Sequence, residues 1–208
     1  MALKIYGVAR SRAFRTLWMA GELGLSYELV RVDFADGGTR RPEYLAINPN
    51  GHIPAIDDDG FKLWESMAIN LYLAKKYAGG AGGLYPQRLE DEARAWQWSF
   101  WGMTEVERPA LTVLLNRIGP DDRRDQVAAD EAELALATPL KVLDGAVTAS
   151  PYLLGAHFTV ADLNVASILA WARQARVNLA AFPKAEAWLK TCHDRPAAQA
   201  ARQLQREG

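Results

Sequence analysis

The chain of 208 residues holds one cysteine. That excludes an internal disulfide framework, a Cys-cluster zinc site and a C-x-x-C redox pair. Three scattered histidines offer no ligand set for a transition metal. Neither sign of charge is in excess, since 24 Lys and Arg stand against 25 Asp and Glu. No broad basic face is therefore available to a nucleic acid. No apolar run approaches the ~18 residues of a membrane span. The start, Met1-Ala-Leu-Lys-Ile-Tyr6, enters a strand-like pattern without the layout of a signal peptide. The expectation is a soluble, cytoplasmic, globular protein. Half of it is hydrophobic and seven residues are tryptophan, which is material for one large domain or two small ones.

Two halves differ in pattern. In the first, Leu3 and Ile5 share one face of a short strand that Gly7 closes. Phe14, Leu17, Trp18, Gly21 and Leu25 then recur at helical spacing, with Gly24 as the stop. Tyr27 to Phe34 reads as a second strand, so strand, helix and strand imply a right-handed crossover and a parallel pair. A loose stretch from Ala35 and a short helical piece around Pro42 to Leu45 lead into the loop Asn48-Pro-Asn-Gly-His-Ile-Pro54. Pro54 to Ile56 and Phe61 to Trp64 flank Asp57-Asp-Asp-Gly60 as a hairpin, and a helix opens at Glu65-Ser66. Four glycines between Ala78 and Gly83 cannot hold a helix. They divide the chain into an α/β domain over 1–78, a linker over 79–88 and an all-helical domain over 89–208.

In the helical half, Trp96, Phe100 and Met103 lie along one side of a helix that Pro109 kinks. A long helix carries Leu136, Leu140, Leu143 and Val147 despite Pro139. Thr159-Val-Ala-Asp162 has the form of a capping box, with Asp in place of the usual Glu. The helix it starts is apolar nearly all round, so it belongs at the centre of its domain. Ala185, Trp188, Leu189 and Cys192 mark a further helix that Arg195-Pro196 ends.

Three places in the first half carry chemistry. Ser11, between the first strand and the first helix, is either an N-cap or a ligand-facing hydroxyl. Arg10, Arg12 and Arg15 add positive charge beside a helix N-terminus that favours anions. Without a Gly-rich phosphate loop a nucleotide is a poor match for that anion. The Ile53–Pro54 bond, if cis, turns the backbone of Ile53 outward to pair with a peptide-like ligand; a plain strand start is the other reading. Ser66 is either a helix cap or a hydroxyl offered to a carboxylate, with Glu65 placed to accept from an ammonium. Ser11, Ile53 and Ser66 then lie at one edge of one small sheet.

Together these motifs resemble the cytosolic glutathione transferase family over essentially the whole chain. Asn48 to Ile56, the hairpin and Trp64-Glu-Ser66 are similar to the family's cis-proline loop and Glu-Ser signature. Tyr6 to Arg15 resembles the strand-to-helix turn of bacterial, serine-type members, and Leu153 to Leu163 the family's C-terminal capping motif. The resemblance implies a thioredoxin-like α/β N-terminal domain joined to an all-α C-terminal domain, working as a homodimer. It implies glutathione as cosubstrate, no covalently bound cofactor, and a small hydrophobic electrophile as partner, with no nucleic acid and no membrane. Ser11 would donate to the glutathione sulfur, with Tyr6 and Arg12 as alternates. Ile53 would pair with the cysteinyl part beside Pro54, and Glu65 and Ser66 would hold the γ-glutamyl end. His52 with Thr39 or Arg40 would approach the glycyl end. Phe14, Trp101 and Met103 would form the apolar wall for the electrophile, and Thr159 and Asp162 would be structural. The alternative is a non-catalytic protein that keeps this fold to bind ligands or partners.

Overall fold

A computed structural model describes residues 3–78 and 83–207, with the side chains of 206 and 207 left aside. The chain divides into two compact units. One runs to Tyr85 and resumes at Arg195; the other is Pro86–Asp194. The glycine-rich break expected as the linker falls mostly on 79–82, outside the described residues.

In the first unit a four-stranded sheet has the order β2-β1-β3-β4, built from β1 (Leu3–Gly7), β2 (Tyr27–Arg31), β3 (Ala55–Asp58) and β4 (Phe61–Trp64). β1 runs parallel to β2, with Ile5 opposite Leu29, and antiparallel to β3, with Ile5 opposite Ile56. The parallel pair follows from the intervening helix α1 (Ala13–Glu22), as the pattern predicts. α1 packs on α3 (Ser66–Tyr77), and Ile5, Leu17, Trp18, Ile56, Ile69 and Leu73 are fully buried. The short helix α2 (Pro42–Leu45) covers Tyr6 on the other face of the sheet, with Tyr44 buried beside Val8 and Ile53. Gly24 has φ +62, the left-handed stop expected of it. Strand β2 ends at Arg31, short of the expected Phe34, because Asp33 turns inward there.

The last helix, α9 (Pro196–Glu207), belongs to this first unit rather than to a helical domain over 89–208. Arg195-Pro196 ends one helix as expected, but Pro196 also opens the next, since proline at the first helical position sacrifices no needed N–H. α9 packs on α1, where a Cβ on Gly21 would stand 3.1 Å from that of Ala197.

The second unit is all helical among its described residues: α4 (Leu89–Trp101), α5 (Glu107–Ile118), α6 (Gln126–Ala146), α7 (Val160–Gln174) and α8 (Pro183–His193). A π-helical turn, Gly102–Val106, joins α4 to α5. Pro109 in the first turn of α5 cannot donate to the Glu105 carbonyl, and the wider turn just before it absorbs the change of register. The expected kink is thus a π turn that begins seven residues ahead of the proline. α4 buries Ala95 and Ser99, whereas Trp96 and Phe100 of the expected aromatic stripe are exposed. α7 is buried at every position from Val160 to Leu169, and α4, α5 and α8 pack around it, so it is the central helix.

Candidate functional site

Glycine at position 7 decides how the first turn is built. Its φ of +147° is open to glycine, and a Cβ there would stand 2.9 Å from that of Ala13 and 3.4 Å from that of Ile53. The end of β1 therefore brings the start of α1 and the loop before β3 into contact through one missing side chain. The Ile53–Pro54 bond is cis. The carbonyl of His52, one residue earlier, accepts from the Tyr44 hydroxyl at 2.5 Å and from Asn48 Nδ2 at 2.7 Å, which fixes the loop from inside.

Ser11 stands half-buried in the turn before α1. Its hydroxyl donates to the Val8 carbonyl at 2.7 Å and accepts from the Ala13 amide at 3.1 Å. Ser11 is not the N-cap expected of it: Arg12 takes that position without a side-chain bond, and the Ser11 hydroxyl, one residue outside it, bridges the turn between Val8 and Ala13. Arg12 is the residue before α1 and half-buried. Arg10 reaches away from the turn to Asp33, with Nη2 2.5 Å from Oδ2. Asp33 is 3% exposed and accepts also from Arg31 at 3.1 Å and from the Ala35 amide at 3.0 Å. That amide, with both guanidinium groups, holds the Asp33 carboxyl below its usual range although burial pushes the other way.

Glu65 precedes α3 with φ +73°, a conformation costly for a residue with a Cβ, and its side chain is exposed. Ser66 is the first residue of α3 and is buried. Its Oγ accepts from Arg15 Nη1 at 3.2 Å, so a side chain one turn beyond Ser11 reaches the start of α3. Thr39 is buried in a 3-10 turn, Gly38–Arg40, and exposed Arg40 donates to the Asn50 carbonyl at 3.4 Å. A Cβ on Gly51 would stand 2.8 Å from Arg40 Nη1, so the guanidinium lies against the loop that carries exposed His52.

Other expected residues lie elsewhere. Tyr6 faces α2, its ring centroid 6.2 Å from that of Tyr44, and lines a cavity of about 250 Å³ with Val32, Asp33 and Ile47. Burial, and then the Asp57 charge, raise its pKa. Phe14 is buried with its ring 5.9 Å from Trp18, and presents no open apolar surface. In the second unit, Trp101 stacks edge-on against Trp98 at 5.0 Å and lines a groove of about 720 Å³ with Glu105, Arg108 and residues of α6. Met103 is half-buried in the π turn. Thr159 and Asp162 form the capping box: Asp162 Oδ2 accepts from the Thr159 amide and hydroxyl, and Oδ1 from the Leu153 amide and Trp188 Nε1.

Three contributors carry no sequence signal of their role. Asp33 is a lone acid in a mixed strand, and Tyr44 and Asn48 sit in a short helix and a turn where their residue types are ordinary. The asparagine at the head of a Pro-Asn-Gly loop is the nearest thing to a cue, since Asn side chains bond nearby backbone. Among the described residues no cluster of three or more His, Cys, Asp or Glu is placed to hold a metal, and no helix is long and apolar enough to cross a membrane.

Comparison with known proteins matches this fold. The glutathione S-transferase N-terminal domain family covers residues 1–75 and the C-terminal domain family residues 106–196. Glutathione S-transferase 3 of Zea mays is 35% identical over 207 residues, spanning 95% of this chain and 91% of that protein. The crystal structure of glutathione transferase F7 from Populus trichocarpa has a TM-score of 0.89 at 27% identity, covering 98% of this chain and 99% of that one. A theta class glutathione S-transferase from Xanthomonas axonopodis pv. citri with glutathione bound gives 0.88 at 30% identity, covering 96% of each. With both domain families matched in order, on a thioredoxin-like sheet followed by a helical unit, the chain belongs to the glutathione S-transferase family.

Proposed function

We propose that this protein is a serine-type glutathione transferase, holding glutathione against the first unit and stabilising its thiolate for attack on a small hydrophobic electrophile. The observation that carries the reading is the close approach at Gly7, where the start of α1, two residues after Ser11, meets the side chain of Ile53 in the loop before β3. The Arg15–Ser66 bond brings the start of α3 to the same helix. A hydroxyl, the backbone of the loop at Ile53 and two helix N-termini suit a tripeptide with a thiol in the middle and a carboxylate at its γ-glutamyl end. Glu65, exposed beside Ser66, offers a carboxylate to the ammonium. Thr39, Arg40 and His52 serve the glycyl end.

The chemical demand is small. A thiol of pKa about 8.5 is only ~3% thiolate at pH 7, and lowering the pKa by about two units needs roughly 2.7 kcal/mol. One charge-assisted hydrogen bond from Ser11 contributes ~1.5–3 kcal/mol and the α1 dipole ~0.3–1 kcal/mol. The thiol proton passes to solvent. The sulfur lone pair forms the bond to the electrophilic carbon, and the leaving group departs with its electron pair. The exposed aromatics Phe61 and Trp64 on edge strand β4, with Trp96 and Phe100 on α4, support a homodimer.

Conjugation of glutathione to a generic aryl halide, measured alongside retention on immobilised glutathione, tests the reading. Turnover with retention is expected. Retention without turnover makes the protein a glutathione binder only, and loss of both overturns the glutathione site.

A further inference from the structure

α1 carries Arg15 one turn beyond Ser11, and the fold buries it to 1% exposure. Taking a guanidinium out of water costs several kcal/mol unless its N–H groups are satisfied. A helix that needed only to fill this space would do so with methionine or leucine. Nη1 donates instead to Oγ of Ser66 at 3.2 Å. Asn70 Nδ2 donates to the Arg15 carbonyl at 3.4 Å, tying α3 to the same turn of α1 and keeping the two residues in register.

The consequence lies on Ser66. A hydroxyl has two acceptor lone pairs and one hydrogen. Ser66 is 3% exposed, and the bond from Arg15 is its side chain's one hydrogen bond among the described residues. One of its oxygen's two lone pairs is therefore taken by a donor, while its hydrogen has no acceptor among the described residues. A buried O–H left to donate at the start of a helix of 12 residues, backed by a cation, suits an anion.

We infer that Arg15 is a positioning residue for glutathione: by occupying the Ser66 oxygen it commits the Ser66 hydrogen to the γ-glutamyl carboxylate. This rests on the reading of Ser66 as part of the γ-glutamyl site. The guanidinium also polarises the O–H it binds, so positive charge reaches the carboxylate through the hydroxyl. Lysine does not reproduce this, because its ammonium is a point charge on a flexible stem where arginine presents a fixed fork.

The test compares Arg15→Met, Arg15→Lys, Ser66→Ala and the Arg15→Met/Ser66→Ala double variant. Binding of glutathione, and of cysteinylglycine, which lacks the γ-glutamyl group, is followed by tryptophan fluorescence. Arg15→Met is expected to weaken glutathione about tenfold and Arg15→Lys about half as much on a logarithmic scale. Cysteinylglycine binding, turnover at saturating glutathione and the pH profile are expected to stay unchanged within about twofold. In the Ser66→Ala background, Arg15→Met is expected to add less than about twofold. Equal weakening of both ligands, or a full loss that persists in the Ser66→Ala background, makes Arg15 merely structural and overturns the inference. If Ser66→Ala weakens glutathione and Arg15→Met does not, the link fails while the site stands. If Ser66→Ala itself has no effect, the γ-glutamyl reading falls and takes the inference with it. Should Arg15→Met fail to fold, Arg15→Lys carries the same comparisons.

Discussion

The hydroxyl of Ser11 donates to the Val8 carbonyl across 2.7 Å while accepting the Ala13 amide at 3.1 Å. With one hydrogen, it holds a thiolate only by rotating away from Val8, and the Ala13 amide can stay on its lone pair through that rotation. On the proposed reading, Ser11→Ala therefore removes a donor to sulfur and a tie in the turn before α1 together. Turnover should fall at least about tenfold, with the bound-thiol pKa raised and glutathione affinity within about threefold. Stability should drop by ~1 kcal/mol, as for other lost side-chain-to-backbone hydrogen bonds. Tyr6→Phe, on the α2 face of the sheet, should leave the pH–rate profile in place. A bound-thiol pKa unchanged in Ser11→Ala would transfer the role to Arg12.

Glu65 trades stability for placement. Its φ of +73° before α3 stores ~1–3 kcal/mol that a glycine would not pay, set against ~1 kcal/mol of extra chain entropy for glycine in the unfolded state. Glu65→Gly should leave the melting temperature equal or higher while weakening glutathione. Glu65→Gln keeps the strained backbone and should weaken binding with no thermal gain. A lower melting temperature for Glu65→Gly would show that the side chain contributes more to the fold than its backbone costs.

Much of this architecture is legible in the residues alone. The parallel pair, the hairpin over 55–64, the capping box at Thr159–Asp162 and the central α7 all follow from local periodicity and turn chemistry, which the tertiary fold leaves intact. The rest depends on partners distant in sequence. Arg15 reads as an exposed cation among other arginines until α3 arrives over it, and Asp33 as a surface acid until Arg10 and Arg31 close on it. The aromatic stripe on α4 has helical spacing, but spacing cannot tell a face buried within the chain from one left open, and Phe100 is 67% exposed. The return of α9 to α1 has no signature at all, because a short Ala-rich helix carries no address for its partner.

Three buried carboxylates should respond to acid with opposite signs. Burial pushes Asp58 up, yet hydrogen bonds from Lys76, Tyr77 and Tyr72 outweigh it, so its pKa, like that of Asp33, lies below the usual value. A depressed folded pKa contributes stability that is present above the unfolded pKa of ~3.9 and is lost as pH falls through the folded value. For Asp162 burial prevails over the bonds from Leu153, Trp188 and Thr159 and raises the pKa, so protonation relieves a penalty as pH falls. Thermal melts from about pH 7 to about pH 3 should show the deficits of Asp33→Asn and Asp58→Asn shrinking below about pH 4. The deficit of Asp162→Asn should instead grow as pH falls through the raised folded pKa toward about 4 and level off below it, because wild type gains there and the amide does not. Parallel curves for all three variants would contradict these assignments.

Arg195 makes a two-pronged pair with Glu22, Nε to Oε1 and Nη2 to Oε2 both at 2.7 Å, and Trp18 Nε1 also donates to Oε1 at 2.9 Å. At the other end of the same helix pair, Gln205 Nε2 donates to the Ala9 carbonyl at 3.0 Å, two residues before Ser11. α9 thus clamps α1 at its C-terminus and steadies the turn at its start. The Glu22 carboxylate is nearly buried whereas Arg195 is about one-third exposed, so the two ends of the pair are unequal. Arg195→Met leaves a buried carboxylate short of its main cation and should cost ~2–3 kcal/mol. Glu22→Gln leaves a guanidinium that reaches water and should cost less. The double variant should cost at least ~1 kcal/mol less than the sum, as contacting residues do. Gln205→Ala should leave the melting temperature within a few degrees, while lowering kcat/KM about two- to fivefold through a looser Ser11 turn. Denaturant melts and steady-state kinetics on the four variants separate these effects. Additive losses at Glu22 and Arg195 would show that the pair does not fasten α9 to α1, and an unchanged kcat/KM in Gln205→Ala would show that the turn is held without it.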